Sequence, residues 1–478
     1  MKFPNIPQSS TLTFVGFASL ALYLMPAAQA TTTVTLHTTD NIQAKVAAFP
    51  AGTAFILTAG MYRNQSVVPK AGDTFTGQGD VRLAGSVVLT FEAESGTKLW
   101  VASAKPDNTV RGTCQKTHPL CAYSQDLFVG GALQTPVASK SAVTSGHWYF
   151  DRSAGKVYIP ANPGSAAVEI GMAKYAFSST AANVVIRNMM IEKYASYGQF
   201  GAIGEMLSGP NWIVDNVEIR YNHGAGAKLG TGSQLTNSFI HDNGQLGFGL
   251  SGTNSKAINN EISWNNYAGY ALGWEAGGSK FSNTTNLLLQ KNFVHDNYGP
   301  GLWCDTDNVS TTYDNNTITH NQSAGIQHEL SFSAIISNNT LSGNGYVAAT
   351  WLWNGQISIQ NSSNVQVYNN TVEVPASGAN GIAIINQNRG SGPMGQWISS
   401  NNTVHNNSIT YLGTQGGTGM VNDTGSHPVL GNSFSSNHYY MKDGSSATEH
   451  WWWFSIMTFP KFQAQGEDKS GSNTMSAN

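Results

Sequence analysis

The chain has 478 residues, of which 11% are charged, against the ~25% usual for soluble domains, and its formal net charge is −3. That balance excludes a basic surface large enough to hold nucleic acid. With 40% apolar residues and abundant Gly, Asn, Ser and Thr, it points to a large β-structure carrying polar side-chain ladders rather than to disorder.

Residues 1–30 read as a secretory signal: Lys2, an apolar run from Phe14 to Leu24, then Ala28-Gln-Ala30 as a small-residue cleavage site. The run is shorter than the ~20 residues of a membrane span, so a secreted or periplasmic protein, free of the membrane after signal removal, is expected. A retained anchor is the alternative. Cys114 and Cys121 share one loop-like stretch and fit a loop-closing disulfide, whereas Cys304 reads as a small buried hydrophobe. Residues 31–175 hold alternating segments such as Ala54-Phe-Ile-Leu57 and Lys156-Val-Tyr-Ile159, read as early coils plus a β-rich insertion.

From 176 to about 445 a short unit repeats. Val184 to Ile191, Trp212 to Ile219, Ser233 to Ile240 and Ser255 to Ile262 share one design, and units ending at Val294, Ile318 and Leu341 follow it. The steps are 28, 21, 22, 32, 24 and 23 residues, a period that marks a solenoid. Three residues after each terminal apolar residue from Ile219 on comes Asn: Asn222, Asn243, Asn265, Asn297, Asn321 and Asn344. Stacked Asn side chains bond one another and the backbone, and Asn tolerates left-handed geometry. Four residues further comes Gly (Gly226, Gly247, Gly269, Gly301, Gly325), read as a corner with positive φ. Gly, Asn, Thr and β-branched residues without 3.6 periodicity exclude helical repeats. The expected fold is all-β: a right-handed parallel β-helix, with weaker coils ending at Val372 and Ile409. Residues 446–478, with Trp451-Trp-Trp-Phe454, Phe459 and Phe462, are expected to cap its open end.

Aligning the strands after each Gly puts the first and third positions in the core and the second and fourth outside. The fourth position then reads Gly230, Ser251, Gly273, Asp305, Glu329, so two carboxylates occupy neighbouring rungs of one outer face. Parallel strands lie ~4.8 Å apart, closer to the ~5–5.5 Å of retaining glycosidases than to the wider inverting pair. Trp303 is expected to face outward beside Asp305, with Gln327 on the next rung; Trp351 and Trp353 follow one coil later as sugar-stacking candidates. The stretch Trp274-Glu-Ala-Gly-Gly-Ser-Lys280 is expected to bring Glu275 and Lys280 over the groove, Asp307 to share the face, and His328 to be a buried, satisfied histidine.

The Asn-laddered coils, Trp274 to Phe281, Gly301-Leu-Trp-Cys-Asp305 and Gly325-Ile-Gln-His-Glu329 resemble bacterial right-handed β-helix proteins of the pectin-lyase-like superfamily. Within it, the layout is similar to glycoside hydrolases that use an Asp and a Glu on neighbouring coils. The polygalacturonase set of Asn-Thr-Asp, Gly-His-Gly and Arg-Ile-Lys is missing. The expectation is a monomeric enzyme acting on a polysaccharide or oligosaccharide without a cofactor, Asp305 as nucleophile and Glu329 as acid/base, or the reverse. A lyase or C5 epimerase is the first alternative, with Ca²⁺ on Glu275, Asp305, Asp307 and Glu329 and with Lys280 or Lys228 as base; few cations near the groove argue against it. A non-catalytic carbohydrate-binding protein is the second.

Overall fold

The computed structural model describes residues 32–347, 352–426, 428–441 and 449–475. The signal-like segment and Trp351 fall outside these. Among the described residues no helix is long and apolar enough to cross a membrane.

The repeat register is carried by the apolar column. Ile191, Ile219, Ile240, Ile262, Val294, Ile318, Leu341, Val372 and Ile409 pair in succession along parallel strands, all with no exposed surface. Every coil thus delivers one aliphatic side chain to the same axial stack, and the chain is a right-handed parallel β-helix. Three early coils, Thr32–Leu36, Thr53–Arg63 and Thr74–Ala84, precede it and pair in succession, the third with the strand Val185–Glu192. Between them, residues 86–171 leave the stack as two small sheets with their own core around Trp148, Val157 and Ile170. The short helix Ile42–Ala48 packs Ile42 and Val46 into the N-terminal end of the main core. At the other end Trp451, Trp453, Phe459 and Phe462 close it.

Asn ladders satisfy the turns. Each Nδ2 of Asn222, Asn243, Asn265, Asn297 and Asn321 donates to Oδ1 of the next Asn at 2.8–3.0 Å, ending on Gln356 through Asn344. A second ladder, not foreseen, runs through Asn260, Asn292, Asn316, Asn339, Asn370, Asn407 and Asn437 to Asp468. The left-handed residue is the one before each rung: Tyr221, Asp242, Trp264, Asp296 and His320 all have φ of 46–57°. That corrects the expectation that the ladder Asn itself is left-handed.

The glycine corner also needs correction. Gly226, Gly247, Gly301 and Gly325 do not have positive φ. They are glycine because of crowding: a Cβ at Gly301 would lie 2.7 Å from the Gly325 carbonyl oxygen and 3.0 Å from Asn321 Nδ2. Gly269 does have the expected positive φ (76°), but it closes a turn on Asn266 rather than the corner of a coil. The strand aligned with Gly247 and Gly301 is Gly277–Thr285, with Gly278 at the corner. Residues between the Asn265 turn and that strand form an excursion, which explains the 32-residue step. It docks on the disulfide loop closed by Cys114 and Cys121, with Tyr270 bridged to Cys114.

Candidate active site

The corrected register changes the outer face. Its first column reads Lys228, Gly249, Lys280 on paired strands, then Trp303, Gln327 and Ser358. In the second, Asp305 pairs with Glu329, and Glu329 with Gln360. The two carboxylates therefore stand on adjacent coils. Gly273 is not in this column, and Lys280 belongs to the strand itself rather than to an overhanging insertion.

Each carboxylate has its own cation. Lys280 Nζ lies 2.8 Å from Asp305 Oδ2 and 3.2 Å from Glu275 Oε1, and 4.1 Å above the centre of the Trp303 ring. Thr306 donates its hydroxyl to Asp305 Oδ1 at 3.0 Å. Glu329 accepts on both oxygens: from Arg389 Nη1 at 2.9 Å on Oε1, and from Trp303 Nε1 at 3.1 Å and Gln327 Nε2 at 2.9 Å on Oε2. Charge-assisted bonds of this kind are about twice as strong as neutral ones, so both acids are held in fixed directions.

Trp303 is not the outward platform expected. It is 6% exposed, covered by Lys280, with its indole N–H spent on Glu329. Trp353 packs beside Leu352, Ala383, Ile385 and Val421. Asp307 is the second of a left-handed pair (Thr306 φ 70°, Asp307 φ 54°) and accepts from Trp397 Nε1 at 3.1 Å. His328 is buried; burial pushes its pKa down to about 3. Only Nδ1 is near a partner, the Tyr313 hydroxyl at 3.2 Å, and Nε2 has none, so it is half-satisfied. Lys228, partly buried, is pushed below the usual lysine range by desolvation, which the nearby Glu275 carboxylate only partly offsets.

Arg389 and Trp397 were missed. Both sit on the loop that carries the small hairpin Ser391–Gly392 with Gly395–Gln396, outside the repeat. Arg389 is the one arginine after Arg220, a rarity that would have flagged it. Among the described residues no group of three or more His, Cys, Asp or Glu is placed to hold a metal. Of the four acids expected as Ca²⁺ ligands, Glu275, Asp305 and Glu329 meet Lys280 or Arg389, and Asp307 meets the Trp397 indole N–H.

Residues 203–372 match the model of the right-handed β-helix region. Among solved structures the chain is similar to one described as the complex of XylC with xylose, at TM-score 0.56 and 13% identity, over 91% of this chain and 79% of that one. It is likewise similar to the A-module of the mannuronan C-5 epimerase AlgE4 of Azotobacter vinelandii, at TM-score 0.52 and 13% identity, over 91% of this chain and 92% of that one. The sequence matches no curated protein. At such identities the likeness concerns the fold.

Proposed function

We propose that the protein is a secreted carbohydrate-active enzyme that hydrolyses glycosidic bonds of a polysaccharide or oligosaccharide. The observation that carries this reading is the in-register pair Asp305 and Glu329 on adjacent coils, each carboxylate aimed by a separate cation. The solved structures it resembles, one holding xylose and one a mannuronan epimerase, support a sugar as substrate; the choice of hydrolysis rests on the carboxylate pair, since fold alone does not settle function.

In this reading Lys280 and the Thr306 hydroxyl hold the Asp305 carboxylate in one direction, from which it attacks the anomeric carbon. Glu329 gives its proton to the departing oxygen as that bond breaks. Water then attacks the glycosyl–Asp305 ester, Glu329 takes the water's proton, and the sugar leaves with retained configuration. Oε2 of Glu329 stays bonded to Trp303 and Gln327 throughout. Oε1, held only from the Arg389 loop, is the oxygen that carries the proton once that contact opens.

A panel of neutral and acidic glycans tests this. New reducing ends without unsaturated product are expected. Asp305→Asn and Glu329→Gln should lower turnover by ~10²–10⁴-fold without lowering the melting temperature, and azide should rescue Asp305→Ala as the inverted glycosyl azide. Near-normal turnover in both amide variants would refute the pair.

One observation favours a second reading, a lyase or C5 epimerase: the depressed pKa of Lys228, which suits a base that removes the C5 proton of a uronate while Lys280 and Arg389 face its carboxylate. Unsaturated or epimerised uronate, abolished in Lys228→Met, would establish it in place of hydrolysis.

A further inference from the structure

A cavity of about 460 Å³ lies between the N-terminal insertion and the corner of the β-helix, within the ~300–1,000 Å³ of small-ligand sites. None of Asp305, Glu329, Lys280 and Arg389 lines it. One wall is aromatic and aliphatic, from Trp148, Phe150, Leu133 and Pro136.

Against that wall stands Asp126, only 6% exposed. Its Oδ2 is fixed by His223 Nδ1 at 2.8 Å and by the Tyr267 hydroxyl at 2.7 Å, and His223 Nε2 lies 2.7 Å from the Cys121 carbonyl oxygen. Oδ1 has no protein partner and is not sealed from solvent. A carboxylate in this position, oriented on one side by two groups and open to the cavity on the other, presents one oxygen free to accept from a ligand. Burial of an unpaired acceptor costs about 1–3 kcal/mol unless a ligand or water supplies the donor. Nearby, Arg152 is held flat between the rings of Tyr123 (4.3 Å) and Phe150 (4.8 Å). Its Nη1 is engaged with the Asp107 carbonyl and Gln125, while Nε and Nη2 have no protein partner.

We infer that this cavity is a second binding site, separate from the Asp305–Glu329 groove, for a neutral hydroxyl-rich ring, that is, one sugar unit. The free carboxylate oxygen accepts a hydrogen bond from one ring hydroxyl, the free guanidinium edge donates one to another, and the aromatic wall covers the apolar C–H face of the ring. The lining carries two carboxylates, Asp126 and Asp151, against the single guanidinium of Arg152, which disfavours an anionic ligand, and Asp151 Oδ1 is already taken by Ser153 and Ala154. The tie through His223 and the disulfide loop holds the acceptor rigidly, so little ordering cost falls on binding. The inference does not depend on the groove being hydrolytic, because no residue is shared.

The test is calorimetric titration of the full chain with D-xylose, D-glucose and D-galactose in turn. At least one sugar should bind saturably with a Kd of the order of 1 mM, usual for so small a ligand. Ala138→Trp and Thr135→Trp, both filling the mouth from exposed lining positions, should weaken that binding at least ~10-fold with unchanged circular dichroism and melting. Asp305→Asn should leave it intact. No saturable binding of any of the three sugars would overturn the inference. So would binding that survives both tryptophan variants, because it would then belong elsewhere.

Discussion

Replacing Asn297 with Ala tests whether the buried ladder, rather than strand pairing alone, holds the coils together. Asn297 Oδ1 accepts from the backbone N–H of Asn265 at 3.2 Å and from its Nδ2 at 2.9 Å, and Asn297 Nδ2 donates to the Ile262 carbonyl and to Asn321 Oδ1. Truncation leaves the Asn265 N–H buried without a partner, at about 1–3 kcal/mol, and removes four further bonds, one of them to the His295 carbonyl, worth about 0.5–1.5 kcal/mol each. Some of these groups keep another partner, as Asn265 Nδ2 keeps the Ile240 carbonyl. The net loss should be about 3–5 kcal/mol, a large fraction of the ~5–15 kcal/mol of a typical domain. The matched control is Asn259→Gly: Asn259 lies on the exposed turn, with φ 57° and a single side-chain bond to Asn237. Glycine keeps that backbone geometry, so the change should stay within about 0.5 kcal/mol. Urea unfolding gives the totals. Native-state hydrogen exchange should show faster opening centred on the coils of Asn265, Asn297 and Asn321, because a solenoid couples mainly nearest neighbours. Equal losses for the two variants would refute the ladder as a source of stability.

Gly301→Ala should destabilise by more than the ~1 kcal/mol gain in helix-neutral entropy terms could offset, since its Cβ meets the Gly325 carbonyl at 2.7 Å; a melting temperature at or above wild type would contradict the crowding argument. Burial opposes the charged forms of His241 and His295, but hydrogen bonds with Asp242 and Glu218, and with Glu261 and Asp296, outweigh it and hold both above the ordinary histidine value. Their stabilisation is therefore fully present below about pH 6.5 and lost as pH rises through the higher folded value. His241→Gln with His295→Gln should flatten the fall in melting temperature over that window, and an unchanged slope would count against it. Lys280→Met should lower kcat on a cleaved glycan by ~10²–10³-fold, with Lys280→Arg partly restoring it, since both Asp305 and Trp303 lose their 2.8 Å and 4.1 Å contacts; a change confined to KM would refute a role in aiming the acid.

Periodicity made much of this molecule legible in the sequence. The column from Ile191 to Ile409 and the ladder from Asn222 to Asn344 recur because each coil must return to the same register to pair with the last, and that constraint acts locally on every unit. The adjacency of Asp305 and Glu329 follows from the same rule. Whatever lies outside the repeat obeys no such rule. Gly269 followed its Asn at the usual spacing, yet it sits on an excursion whose course is set by packing on the Cys114–Cys121 loop. Alternation sent Trp303 to the outer face, but only the neighbouring coil, through Lys280, decided that it would be covered there. Arg389 reaches Glu329 from a loop between later coils. A loop's length and composition leave its landing place open, because the contacts that fix it come from distant residues brought near only by the stacked solenoid.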